Sequence, residues 1–248
     1  MPRNVQIAIP SYHRPRRIAE TTLPLLRDGG VDMASVTVFL TDETELAAYT
    51  PAIEAFGIGV EVGHGVGTAE AHNHIARHYP PGTPLVQIDD DVSRIVQRQD
   101  EKTLVDVRDL PALFDLAFHE ACGTLWCVYP AANPFYMADR VRRSGLWYAE
   151  GCLFGYEVSG GDWELCHVDH GDDYERSIRF FEALGAVTRL DNYSFVSKFW
   201  KEPGGLQDVR TPENVMAGLT YITDRWPHLA KLYYNAAGRP NLRLKVIK

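Results

Sequence analysis

Apolar residues along this chain fall in short runs spaced for strands and in stripes spaced for helices, and the two alternate through the first half. Residues 5–9 alternate and then run apolar into Pro10-Ser11-Tyr12-His13-Arg14-Pro15, predicting a strand, a turn and a helix over 16–26. A second strand is predicted over 36–40. It is followed by a helix over 45–56 with Leu46, Tyr49, Ile53 and Phe56 on one side and Gly57 as its stop. Residues 58–62 read as a third strand, 63–67 as a glycine-rich connection, and 68–78 as a helix with Thr68 as its N-cap. The Pro80-Pro81-Gly82 turn leads into the apolar run Leu85, Val86 and Ile88, a buried strand. Beyond Asp91 the pattern loosens. It predicts a helix over 109–121, a strand over 125–128, a loop over 133–143 and a glycine-broken strand over 148–156. A helix then runs from about 172 to 184, a strand over 187–196, and a helix over 212–225 capped by Thr211. A last helix and a terminal strand over 242–246 complete the expectation. Alternating strands and helices imply an α/β fold around a mainly parallel sheet. No repeat or long linker divides the chain, so one domain over 1–197 is expected, with an extension over 198–248 packed on it.

Composition changes this picture little. At 248 residues, 45% apolar and 23% charged, the chain suits one large α/β domain, with halves at about 1–95 and 96–197. No window approaches the length of a membrane span and the first residues read as a strand, so no membrane role and a cytoplasmic location are expected. Four cysteines without a CxxC pair are expected to be free thiols. Charge is more informative. The chain carries −8, but from Lys198 onward nine Lys or Arg face four Asp or Glu, giving +5 there and −13 before it. An acidic body with a basic end is compatible with a nucleotide site plus a surface for a polyanion.

The candidate chemistry centres on Asp89, Asp90 and Asp91 at the end of the fourth strand. Three like charges are costly to hold together unless a cation sits among them, and Asp89 and Asp91, two apart, can share a face toward Mg²⁺ or Mn²⁺. Ser11, Tyr12 and Arg14 fall beyond the first strand, where ligands bind in open α/β sheets. Tyr12 is suited to stack on a base and Arg14 to meet a phosphate. His72, His74 and His78 do not share one helical face, so zinc is not expected there. Asp172 and Asp173 open a helix behind His170 and Gly171. One of them satisfies a capping need, and the other is available to accept a proton. Lys198, Trp200, Lys201, Gly204 and Gly205 read as a lid or phosphate-facing loop.

The order of these parts resembles a GT-A glycosyltransferase: a strand ending Ile-Pro-Ser-Tyr-His-Arg-Pro, a helix bearing Ala71-His72-Asn73, a strand ending Ile-Asp-Asp-Asp-Val, and a later Gly-Asp-Asp. The resemblance implies a Rossmann-like GT-A sheet flanked by helices. It also implies a nucleotide-sugar donor, with a UDP-sugar favoured, and Mn²⁺ or Mg²⁺ held by Asp89 and Asp91. Pro10, Ser11, Tyr12, Arg14, Asp42, Asn73 and Asp90 would lie around the donor, and Asp172 or Asp173 would supply the acceptor-side carboxylate. A C-terminal His often completes the metal site in that fold. His228 is the choice here, with His170 and His167 competing. The run from Lys201 to Gln207, with Arg210-Thr211 and Trp226-Pro227, is similar to the phage TET-associated glycosyltransferases. That implies 5-hydroxymethylated pyrimidine in DNA as acceptor and, for a phage-encoded chain, the host cytoplasm. The competing readings are the same fold acting on a glycan, lipid or small molecule, a nucleotidyltransferase, or a binding module without chemistry. Residues 10–17 lack the glycine-rich signature a nucleotidyltransferase needs.

Overall fold

The computed structural model describes residues 3–197 and 211–245, and the expected lid residues Lys198, Trp200, Lys201, Gly204 and Gly205 lie outside them. The first half builds β1 (Gln6–Ser11), α1 (Pro15–Glu20), α2 (Thr22–Asp28), β2 (Val36–Leu40), α3 (Glu43–Phe56), β3 (Gly59–Val62), α4 (Thr68–His78) and β4 (Pro84–Ile88). The single helix expected over 16–26 is in fact two, because the backbone leaves helical geometry at Thr21. The second half adds β5 (Val92–Arg98), β6 (Leu104–Asp106), α5 (Leu110–Ala121), β7 (Leu125–Tyr129), β8 (Val141–Arg142), β9 (Leu153–Glu157), α6 (Asp172–Leu184) and β10 (Val187–Ser197).

One sheet runs in the order β3-β2-β1-β4-β9-β7-β10-β5-β6, with β8 also on β10. From the pairings, β1, β2, β3, β4, β6, β7 and β10 run one way and β5, β8 and β9 the other, so the sheet is mixed and mainly parallel. Helices cover both faces, and for that reason the central strands are apolar almost without interruption. Ile7, Ile9, Val38, Val86 and Ile88 meet α1, α2, α3 and α5 on one face, whereas Ala8, Phe39 and Leu85 meet Ile75 of α4 and Phe180 of α6 on the other.

Three local expectations are corrected. The strand expected over 148–156 begins only at Leu153, and residues 148–152 form an irregular approach to it. Thr68 does not cap α4. Its hydroxyl donates to the Asp169 carbonyl at 2.6 Å, and the Asp169 carboxylate accepts from Ala69 N–H at 3.0 Å, capping the helix from a distant segment. Among the described residues no further helix follows α7 (Pro212–Arg225), which Thr211 caps. β11 (Ala230–Tyr234) pairs antiparallel with β12 (Pro240–Leu244), because Asn235 and the left-handed Gly238 close a hairpin between them. Leu219, Ile222, Trp226 and Leu242 of this unit pack on Ile178 of α6 and on Leu146. Among the described residues no helix is long and apolar enough to cross a membrane.

Candidate active site

β1 and β4 lie side by side and parallel, so their carboxyl ends open together on one edge of the sheet. β4 stops at Ile88, and the three aspartates form a turn rather than an extension of the strand. The Thr22 hydroxyl at the start of α2 fixes this turn by donating to the carbonyls of Asp89 (2.8 Å) and Val92 (3.2 Å). Asp90 faces inward. The Ser11 hydroxyl donates to its Oδ2 at 2.6 Å, and Arg14 reaches Oδ1 at 3.3 Å. Ser11 also lies 2.7 Å from the Tyr49 hydroxyl, which accepts the Arg14 backbone N–H at 2.9 Å. Burial pushes the Asp90 carboxyl up to about 6 against the pull of Arg14. Arg14 also stands 3.6 Å from Asp91, which accepts a hydrogen bond from Ser197. Burial, and next Asp91, raises Asp89 well above the ordinary carboxylate range.

β9 runs antiparallel to β4 and brings Glu150-Gly151-Cys152 against the turn, where Asp89 N–H donates to the Cys152 carbonyl at 3.1 Å. The second acidic centre closes on the same segment. Asp172 and Asp173 occupy the first turn of α6, whose N-cap position is Gly171 and has no capping side chain. Arg176 donates to Asp172 at 2.9 Å and to Asp173 at 3.3 Å, and the Tyr148 hydroxyl donates to Asp173 at 3.0 Å. Gly151 permits this approach, because a Cβ on it would sit 2.7 Å from Asp173 Oδ1 and displace that carboxylate. Behind Asp172, His72 Nε2 stands 3.6 Å away, and its Nδ1 lies 2.7 Å from Gln87. Burial, with Arg176 nearby, pushes His72 down to about 3, so the imidazole is neutral. Burial and then Asp172 push Asp173 up to about 6. Glu150, pushed up to about 8 by burial and then by Asp173 and Asp89, is the carboxylate the sequence reading missed. Its position before a glycine was the available signal, hidden by treating 148–156 as one strand.

The other expected residues divide. Asp42 sits exposed at the end of β2 and caps α3; hydrogen bonds from Thr44 hold its carboxyl below the ordinary range. Pro10 and Tyr12 flank Ser11 on the open edge. Asn73 spends its amide on the backbone of Cys166, donating to its carbonyl (2.8 Å) and accepting its N–H (2.7 Å), so it latches a loop. His228 lies exposed in the turn after α7, where the neighbouring Trp226 donates to Glu182 near the far end of α6. Glu182 stands nine residues along α6 from Asp173, a rise of about 14 Å, so the contact that anchors this turn is at the other end of the helix from the carboxylates. His167 pairs with the fully buried Glu175 at 2.7 Å, and the His170 backbone lies against Gly218 of α7.

Fold and site edge together define the GT-A class of Rossmann-like sheets. Solved structures of that class match over most of the chain. A mannosyltransferase from Pyrobaculum calidifontis, solved with GDP-Man and Mn²⁺, matches 90% of this chain and 77% of its own at 14% identity and a TM-score of 0.52. Glucosyl-3-phosphoglycerate synthase from Mycobacterium tuberculosis, solved with Mn²⁺, UDP and glucosyl-3-phosphoglycerate, matches 99% and 88% at 12% identity and 0.56. S. aureus TarS matches 89% of this chain but 40% of its own, at 10% identity and 0.58. At such identities the likeness establishes the fold. No family model matches the sequence, and no curated protein matches it either.

Proposed function

We propose that this chain is a metal-dependent glycosyltransferase that moves a sugar from a nucleotide sugar, with a UDP-sugar favoured, to a hydroxyl acceptor. The observation that carries the reading is the meeting of the Asp89–Asp91 turn with Asp172 and Asp173 across Glu150-Gly151-Cys152. Among the described residues, Asp89, Asp90, Asp91, Glu150, Asp172 and Asp173 gather around the guanidinia of Arg14 and Arg176, a carboxylate-rich setting that suits a hard divalent cation. Among the described residues no three His, Cys, Asp or Glu side chains are grouped to hold a metal ion, so the cation would rest on a pair of carboxylates and on ligands from outside the chain. Asp89 and Asp91 would hold Mn²⁺ or Mg²⁺, which would neutralise the leaving diphosphate.

The chain's own groups do the rest. Ser11, Arg14, Asp42 and Asp90 shape the donor edge. Asp173 takes the acceptor proton as the acceptor oxygen bonds to the sugar carbon and the bond to the diphosphate breaks, with Tyr148 and Arg176 orienting its carboxylate. The favoured acceptor is a 5-hydroxymethylated pyrimidine in DNA. It is supported by the basic balance after Lys198 and by Lys231, Arg239, Arg243 and Lys245 on or beside the β11–β12 hairpin. A panel of nucleotide sugars with Mn²⁺, with and without 5-hydroxymethylcytosine DNA, tests both levels. DNA gaining the mass of a sugar establishes reaction and acceptor together. Donor turnover with unmodified DNA removes the DNA acceptor, and turnover undiminished by chelator removes the metal.

A further inference from the structure

β10 carries Arg189 and Asp191 two residues apart, β8 beside it supplies Arg142, and Arg140 precedes β8. Asp191 is 1% exposed, and all three arginines donate to it through Nε: Arg140 and Arg142 to Oδ2 at 2.9 and 2.6 Å, Arg189 to Oδ1 at 2.6 Å. Burial raises the Asp191 carboxyl, but these guanidinia together hold it below the ordinary range. One carboxylate therefore gathers three cations that stay charged at any working pH, a local surplus of two positive charges. A single buried carboxylate needs no third arginine, and each added one brings like-charge repulsion.

Two of the three arginines also pack on aromatic rings. Arg142 and Arg189 stack over the Trp147 ring at 4.3 and 4.9 Å, and Arg189 lies 5.0 Å from the Tyr129 ring. The adjoining acids do not cancel the surplus: Glu120 is taken by Arg143, and Asp139 is a single exposed charge. On the loop over 130–139, pinned by Arg98 Nε to the Pro134 carbonyl and by Ala138 N–H to the Asp191 carbonyl, Phe135 and Tyr136 are 72% and 65% exposed. Trp147 directly precedes Tyr148, whose hydroxyl holds Asp173. Fixed guanidinia with surplus charge and neighbouring rings match the chemistry of phosphate recognition.

We infer that Arg140, Arg142 and Arg189 form a binding site for a phosphate group carried by the acceptor substrate. Only the word acceptor rests on the glycosyltransferase reading. The phosphate belongs either to a phosphodiester strand or to a small phosphorylated acceptor, and the test separates these. A labelled oligothymidylate strand is titrated by fluorescence polarisation, and inorganic phosphate is titrated in parallel by thermal shift. Wild type is compared with Arg140→Gln, whose side chain is 54% exposed and whose loss leaves Asp191 two partners, and with Arg94→Gln, which is paired elsewhere with Asp106. Arg140→Gln is expected to weaken binding roughly threefold to tenfold and, for the strand, to lower the salt slope by about 0.7. Arg94→Gln is expected to change nothing. A strand binding far tighter than phosphate assigns a phosphodiester acceptor, and equal binding assigns a small one. Failure of both ligands to bind wild type, or equal binding to wild type and Arg140→Gln, overturns the inference. Absence of sugar transfer in the donor panel leaves this titration untouched, so the two failures are distinguishable.

Discussion

Asp173 holds its proton up to about pH 6 because burial and Asp172 outweigh Arg176. In the proposed role of acceptor-side base it must be ionised, so turnover should rise through pH 6 and level above it. Asp173→Asn should lower kcat roughly 10²- to 10⁴-fold with little change in donor KM, read by steady-state kinetics against both substrates. Asp91→Ala should lower transfer at least ~100-fold while circular dichroism stays native. The same raised carboxyls govern stability. A proton bound more tightly when folded stabilises fully below the ordinary value, and that stabilisation is lost as pH rises through the folded one. For Asp90 and Asp173 the loss runs from 3.8 up to about 6, and for Glu150 from 4.5 up to about 8. Thermal melts of the metal-free protein should therefore fall between about pH 5 and 8 (within the span of those values), and added Mn²⁺ should raise Tm more at the upper end. A melt flat over that span would count against the buried cluster. At this scale the sequence announced Asp89–Asp91 and Asp172–Asp173 through charge density at element ends. It concealed Glu150 and the latch made by Asn73, since both depend on segments far apart in the chain.

Elements were legible where one period dominated. α3, α4, α5, α6 and α7 emerged within a few residues of their predicted bounds because apolar stripes and end signals agreed. β5 and β11 were missed, and the terminal strand expected over 242–246 was placed near β12 without its hairpin partner: each missed strand is a mixed run whose identity comes from the strand beside it. β9 was placed but started too early, and its packing shows why its glycines matter. At Gly155 a Cβ would stand 2.6 Å from the Trp126 ring and 2.7 Å from the Leu85 carbonyl. Gly155→Ala should destabilise the fold by about 1–3 kcal/mol through overpacking, measured by urea denaturation. Gly151→Ala belongs to a different class, because its neighbour is Asp173 rather than the core. It should reduce kcat far more than it lowers the urea midpoint.

Across the whole molecule, an acidic edge formed by two strand ends and a helix start sits on a sheet whose far side is sealed by apolar helices. The C-terminal unit reinforces α6, the helix that carries Asp172 and Asp173, through Leu219, Ile222 and Leu242. Leu242→Ala should cost about 2–4 kcal/mol, with the loss seen in global unfolding rather than in a separate early transition. The fold class was readable from the alternation of strands and helices. The way β9 crosses between β4 and β7 was not, since antiparallel insertion leaves no mark on local periodicity. The clasp between α4 and the segment ahead of α6, made by Asp169 at one point and Asn73 at another, has a consequence for variation. Descendants of this sequence cannot lengthen the stretch over 163–171 without unseating two helices at once. The loop over 130–139 is pinned only to strands, β5 through Arg98 and β10 through Asp191, so changes there leave both helix starts seated.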